Sequence, residues 1–579
     1  MTHTRTIVKV WWGHAGCIVL DPIAFDKAAI FTHHCLTLKR GERRLCQKKD
    51  SYRRGGVRVG VISVYMDYRR KGEKARGLPQ PAVGPLIAGL LPRDIEIAVT
   101  NETWEDPDWS RDYDLLFISS LHSDFDRARQ IAHYWRRRGA KTVFGGTMAS
   151  TYPGLCQPFF DAVVVGDPEG SVRQVFDDFC SGKLKPLYVS ASYDGTRVPV
   201  PRFDLVAGKH VVPLSFEATR GCPYNCEFCA LAGIGTRFHV RPVQLVVRDI
   251  QEGQRMLRDL VPWPQRRMIA FLDNNIGGNP AYLSELCDAL APLHIRWGSA
   301  ITLNALALPG MVERLARSGC RVAVVGLESF NPEAILDMKK FQNALDQTRF
   351  LIERCRRNGV LLESGLMISP MVDDWSYIQT IPQRLREAGL HIPAYICFEG
   401  PIPGTPCFKR LAAGPEPAFL PNACLRDFSG YTLVVRPKRE PVETFIQGYQ
   451  WVMDNTYTRM AKLRKYVDDV PPLLLAGSWG VALGDLVSHW NAGHVPRPDR
   501  TYLAGTDVPP PEATSVPLAD DDFDSEAERS AILDPWRVTD AEGRVLPAWL
   551  DSVKVFEGNG RLSAQARGLI AAPVSGGVA

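Results

Sequence analysis

Cys222, Cys226 and Cys229 stand close together in the string Ala218-Thr-Arg-Gly-Cys222-Pro-Tyr-Asn-Cys226-Glu-Phe-Cys229. Three thiolates at this spacing can bind three irons of a four-iron cluster. The absent fourth ligand leaves one iron open to a cofactor or substrate. A zinc knuckle is the alternative reading; it needs a fourth Cys or His, and His239 is available further along. The spacing, the flanking Arg220-Gly221 and the aromatic Phe228 before the last cysteine favour the cluster.

The motif follows the apolar run Val212 to Ala218, so the thiols are expected to project from the carboxyl end of a strand, where barrel enzymes place their active sites. Further strand candidates are Met268 to Asp273, Ile295 to Thr302, Val322 to Leu327, Val360 to Ile368 and Tyr395 to Phe398. Helix-like stretches between them predict a partial barrel of six strand–helix units over 201–410. Ahead of it, Val57 to Tyr65, Ile95 to Thr100, Leu115 to Ser119, Thr142 to Phe144 and Ala162 to Val165 alternate with helical stretches. That pattern predicts a doubly wound, Rossmann-like α/β domain over 56–200, whose ligands bind at the carboxyl ends of the strands. One of its helices, Asp124 to Arg138, is expected to carry an acidic cap and to stop at Gly139.

Residues 1–55 read as an extension with a basic run from Lys39 to Arg54. Residues 411–579 read as a mixed, helix-rich C-terminal region, with Val508 to Glu526, rich in proline and acid, as a linker or mobile loop. The composition is ordinarily globular, with 45% hydrophobic and 23% charged residues, which excludes general disorder. A net charge of +5 on 579 residues does not point to nucleic acid. The cysteines are scattered and no secretory leader is evident, so free thiols in the cytoplasm are expected. No uncharged run reaches the roughly 18 residues of a membrane span, so no membrane association is expected.

From about Val212 to Leu411 the chain resembles the radical S-adenosylmethionine (SAM) superfamily. The resemblance implies a [4Fe–4S] cluster on Cys222, Cys226 and Cys229, SAM chelated by the open iron, and an external electron donor such as flavodoxin or ferredoxin. Phe228 then lies against the cofactors. Phe271-Leu-Asp273-Asn274 falls where relatives present polar groups to the SAM amino group, and Glu328 and Ser329 where they reach its ribose. Pro401 to Pro406 resembles a turn near the end of such barrels.

The doubly wound domain makes the chain similar to the cobalamin-dependent branch of that superfamily. Ser119-Ser120-Leu121 and Gly145-Gly146-Thr147 close its third and fourth strands, where a nucleotide tail would lie; glycines let backbone approach a ligand closely. Relatives that bind cobalt through a histidine carry it in Asp-x-His-x-x-Gly, whereas this chain has Asp67-Tyr-Arg69-Arg-Lys-Gly72. A permanently charged Arg69 is no neutral nitrogen ligand, so the alignment leaves cobalt without a lower protein ligand.

The implied function is methyl transfer from SAM through methylcobalamin to a poorly activated carbon of a small molecule. That carbon could be an sp2 centre, as in enzymes similar to the tryptophan C2-methylating enzymes of thiopeptide biosynthesis, or one activated by a radical. Arg69, or Asp273 as a ligand of the open iron, leans toward the non-radical route. One alternative is a cobalamin-dependent rearrangement, cyclisation or oxidation. Another is a nucleic-acid-binding protein with a structural metal site. Tyr395, Glu399 and Asp373, with Glu363, are general-base candidates near predicted strand ends.

Overall fold

The structure, a computed structural model, describes residues 56–65, 79, 81–190, 193–235, 237–343, 345–483, 504, 515–557 and 561–571. The extension 1–55 with its basic run, Asp67, Arg69 and Gly72, and the first part of the expected linker lie outside them.

The first unit is a six-stranded parallel sheet: β1 (Arg58–Ser63), β2 (Glu96–Asn101), β3 (Leu115–Ser120), β4 (Lys141–Gly146), β5 (Ala162–Val165) and β6 (Leu187–Val189). Their order is β2-β1-β3-β4-β5-β6, so the winding reverses between β1 and β3. That reversal opens a crevice at the carboxyl edge. Alternation along the strands builds two cores. Val59, Val61, Leu115, Phe117 and Val143 pack with Phe176 and Phe179 on one face. Ile62, Leu116, Ile118 and Phe144 pack with Phe125 and Trp135 on the other. Each fully buried side chain of this size contributes roughly 1.5–3 kcal/mol.

The strand β6 has no counterpart in the sequence reading, because Leu187–Val189 is too short to show a period. The helix expected from Asp124 to Arg138 spans Phe125–Arg136. Asp124 holds the cap position but its side chain makes no cap bond to the helix, so the acidic cap is not formed. Asp126 is instead buried against Arg129 at 2.6 Å. Gly139, at φ 93°, ends the turn as expected.

The second unit begins with β7 (Leu214–Phe216). The antiparallel pair β8 (Thr219–Gly221) and β9 (Phe238–Val240) follows, and then β10 (Met268–Phe271), β11 (Arg296–Ala300), β12 (Cys320–Glu328), β13 (Leu361–Ile368) and β14 (Tyr395–Phe398). All but β8 and β9 form one parallel sheet in the order β14-β13-β12-β11-β10-β7. These are the six strands expected, and the sheet is an open barrel. β7 buries Leu214 and Phe216 against Val246 and Ile250 of the helix Val243–Met256, whose apolar residues recur at helical spacing.

The C-terminal region supplies the helices Val442–Thr456 and Arg459–Leu475 and then returns to the first sheet. The described part of the stretch expected as a linker, 515–526, is docked on the first unit. Phe523 stacks on His133 at 5.1 Å, and Arg137 meets Asp524 at 2.9 Å. The acids that suggested a solvated loop are there to meet the basic end of the helix Phe125–Arg136.

Candidate active site

The three cysteines lie on the loop between β8 and the helix Ala230–Ile234, beyond the carboxyl end of β7. Gly221 starts this loop at φ 84°, and a Cβ there would meet the Arg237 carbonyl oxygen at 1.7 Å, so only glycine lets the hairpin close. Cys226 is buried, while Cys222 and Cys229 are half-buried. Burial pushes the Cys229 thiol up to about 11, against the N–H groups of Leu231 and Ala232, which lower it. Bound iron supplies the positive charge that makes the thiolates stable.

Among the described residues no three His, Cys, Asp or Glu side chains converge on one point for a mononuclear ion. His239 sits on β9 opposite Arg220, packed on the Tyr193 ring at 5.7 Å. The zinc alternative therefore lacks its fourth ligand. Three thiols spread around a short loop are the donor set of a cluster with one open iron.

A strap absent from the sequence reading crosses this loop. After the helix Pro332–Asp337, Lys339 takes φ 52° and the chain folds over Cys226. The Glu227 N–H donates to the Met338 carbonyl at 3.0 Å, and the Lys339 ammonium meets the Glu227 carboxylate at 2.6 Å. The Gln342 amide donates to the Cys226 sulfur at 3.4 Å. Buried Lys340 pairs with Glu328 at 2.7 Å, close to the ring of Phe228, and its charge acts on Cys226 and Cys229. The Lys-Lys-Phe-Gln sequence resembles an ordinary surface turn, which is why it carried no signal.

Glu328 reaches Lys340 because β12 bulges there and Glu328 adopts φ 64°, a conformation a glutamate holds only when its surroundings enforce it. Tyr395, half-buried, lies across Gly365 and near Glu328, so Tyr395, Glu328, Lys340 and the cysteines form a continuous line in the barrel mouth. Ser329 faces elsewhere, with its hydroxyl on the Tyr377 hydroxyl at 2.9 Å and on the Asn331 N–H at 3.0 Å.

Asp273 turns both carboxylate oxygens to the strand end that precedes the cysteine loop. One carboxylate oxygen accepts from the Ala218 N–H at 3.1 Å, and the other from the N–H and hydroxyl of Thr219. It clamps the end of β7 to the start of the cysteine loop, and burial raises it to about 7. Asn274 lines the cavity described below, and Asn275 is buried beside Cys222, where its side chain acts to lower the thiol against the burial that raises it.

The general-base candidates separate. Asp373 is fully buried and accepts from the Ser369 N–H at 2.7 Å and the Asn331 amide at 2.8 Å, which is a structural role. Glu363 faces Lys465 at 3.6 Å. Glu399 accepts from the Ser369 hydroxyl at 2.6 Å while its other oxygen is buried without a partner; burial, the largest influence, raises it to about 8.

At the carboxyl edge of the first sheet, Ser119, Gly145, Gly146 and Thr147 line a cavity of about 290 Å3. Ser120 is buried outside it, and Leu121 is 60% exposed. The opposite wall belongs to the second unit: Arg220, Gly221, Leu231 and Asn274. Between them Arg220 meets Glu169 at 2.9 Å, Asp167 at 3.3 Å and Glu217, while Arg237 pairs with Asp167, tying the loop after β5 to the cysteine hairpin. His122, also unremarked in the sequence, accepts or donates to the Thr147 hydroxyl at 3.2 Å and is kept neutral by burial, at about 4.

The barrel and its three-cysteine loop define a radical SAM domain, and residues 216–381 match the profile of the radical SAM superfamily. A [4Fe–4S] cluster and SAM are the cofactors of such a domain. The chain is 24% identical over 392 residues to bacteriochlorophyllide d C-8(2)-methyltransferase of Chlorobaculum tepidum, covering 63% of this chain and 84% of that one. It is also 24% identical over 335 residues to bacteriochlorophyllide d C-12(1)-methyltransferase of the same organism, covering 56% and 72%. Its fold is similar to that of the radical SAM methyltransferase TsrM from Kitasatospora setae, solved with tryptophan substrate and aza-SAM. The TM-score is 0.51 at 15% identity, over 74% of this chain and 97% of that one. A second structure of TsrM, with cobalamin and a [4Fe–4S] cluster bound, matches at TM-score 0.49 and 16% identity, over 67% and 80%.

Proposed function

We propose that this protein is a cobalamin-dependent radical SAM methyltransferase that moves the SAM methyl group to a poorly activated carbon of a small molecule. The observation that carries this reading is the shared cavity. One wall is the carboxyl edge of the doubly wound sheet, and the other is the cysteine hairpin. Gly145 and Gly146 would let a corrinoid's tail approach the backbone there. When bound, the corrinoid supplies a cobalt nucleophile that accepts the methyl group and passes it on.

The chain's own contribution is placement. Cys222, Cys226 and Cys229 would hold three irons, Gln342 donates to the Cys226 sulfur, and Lys340 brings positive charge to Cys226 and Cys229. Gly145 and Gly146 would present bare backbone to a corrinoid, and Arg69 lies outside the described residues. Asp273 accepts from Ala218 and Thr219, which supports the reading in which SAM, and not this carboxylate, would take the open iron. That observation favours the route in which the cluster cleaves SAM, against the non-radical route. Tyr395 and Glu399 are the titratable groups that remain for proton transfer. A soluble electron carrier, such as flavodoxin or ferredoxin, would reduce the cluster. The methyltransferase relatives and the fold likeness to a tryptophan-bound enzyme support a ring-bearing substrate.

The test is anaerobic reconstitution with iron, sulfide and hydroxocobalamin, then SAM and a strong reductant, with products read by mass spectrometry. S-adenosylhomocysteine, a methylated corrinoid and deoxyadenosine are expected, with deoxyadenosine lost in Cys226→Ala. Failure to retain corrinoid through gel filtration would sink the cobalamin assignment. Deoxyadenosine without a methylated corrinoid would point to a non-methylating reaction.

A further inference from the structure

At the opposite end of the barrel, among the strand starts, lies a second cavity of about 370 Å3. Its walls are apolar: Val212, Met268, Ala270, Val322 and Trp479 line it, and among the described residues no acidic side chain does. Arg296, the first residue of β11, and Arg321, the second of β12, also line it.

The two guanidinium groups have no carboxylate partner among the described residues. Arg296 bonds only to the Ile295 carbonyl, at 3.3 Å, and Arg321 to the carbonyls of Ala316 and Cys320, at 2.9 and 2.6 Å. The Arg321 Nε is buried with no partner among the described residues. Burial lowers both groups, and Arg296 adds repulsion on Arg321. Fully buried arginines of this chain have carboxylates, Arg127 with Glu102 and Arg241 with Asp249; Arg321 is half-buried without one, and Arg296 beside it stands exposed at the cavity rim. Two mutually repelling, uncompensated cations at an apolar cavity are complementary to one anionic group attached to an apolar body.

We propose that this cavity binds a monocarboxylate with an apolar chain or ring, its carboxylate on Arg296 and Arg321 and its body against Met268, Val322 and Trp479. The site is separate from the cysteine loop by the full length of the barrel strands, so it stands or falls independently of the proposed methyl transfer.

Isothermal titration of the cluster-loaded protein with decanoate, below its micellar concentration, and with decanol tests this. Decanoate is expected to bind at least tenfold tighter than decanol. Arg321→Gln and the exposed Arg296→Gln should each remove most of that difference while leaving decanol binding and the cluster's absorption unchanged. Equal binding of acid and alcohol, no binding of decanoate, or a preference for decanoate that survives both substitutions would overturn the proposal.

Discussion

The Gln342 side-chain amide donates to the Cys226 sulfur at 3.4 Å, from a strap more than a hundred residues along the chain. A donor on a thiolate favours the more negatively charged, reduced cluster. Gln342→Leu is therefore expected to lower the cluster's midpoint potential. One hydrogen bond of about 1 kcal/mol corresponds to about 40 mV for one electron. Redox titration followed by electron paramagnetic resonance reads the shift, and an unchanged potential would mean that the contact has no electronic role.

Asp273→Ala should destabilise the protein by roughly 3 kcal/mol or more, because the N–H groups of Ala218 and Thr219 and the Thr219 hydroxyl lose a buried acceptor together. Denaturant unfolding measures the loss. Iron content after reconstitution should fall with it, since the same clamp places the cysteine loop.

Arg220→Met leaves Glu217 and Glu169 facing one another without their cation at the junction of the two units. A cost of roughly 3–5 kcal/mol is expected. The unfolding midpoint should drop and corrinoid retention should weaken, because both follow from the same junction. Retention at the wild-type level alongside a normal midpoint would show that the junction does not hold the cavity together.

Burial raises Glu399 from an ordinary 4.5 to about 8. The folded state then keeps a proton that the unfolded state releases. Glu399 contributes stability fully present below pH 4.5 and lost as pH rises toward 8, with a slope of at most about 1.4 kcal/mol per pH unit. Glu399→Gln should flatten that part of the profile and raise the melting temperature relative to wild type at pH 8, with no gain at pH 4.5. Melting curves across that range check it, and parallel profiles for the two proteins would remove Glu399 as the cause.

The strands of both sheets, the short β6 apart, were legible because parallel strands buried on both faces read as continuous apolar runs, and Cys222, Cys226 and Cys229 were legible because their spacing has few other uses. What escaped was arrangement at long range. Lys340 and Gln342 gain meaning only when residues 338–343 cross the cysteine loop, and nothing local in them announces it. Asp273 was noticed as a carboxylate near the cluster loop, yet which way it turns depends on two backbone N–H groups on another strand. Acid-rich 515–526 resembled solvated chain because the arginines it meets lie almost four hundred residues earlier. Arg296 and Arg321 carry no local signal, since the lack of a counter-ion shows only in three dimensions.

The segment around Phe556 bonds to both units: the Val553 N–H donates to the Thr151 carbonyl at 2.8 Å, and those of Val555 and Phe556 to the Ile234 carbonyl at 2.7 and 3.1 Å. Phe556 also forms part of the wall of the shared cavity. A polypeptide is made from its amino end, so both halves of that cavity emerge from the ribosome well before the residues that bridge them. Synthesis thus imposes a chronology, an open cleft first and its fastening afterward.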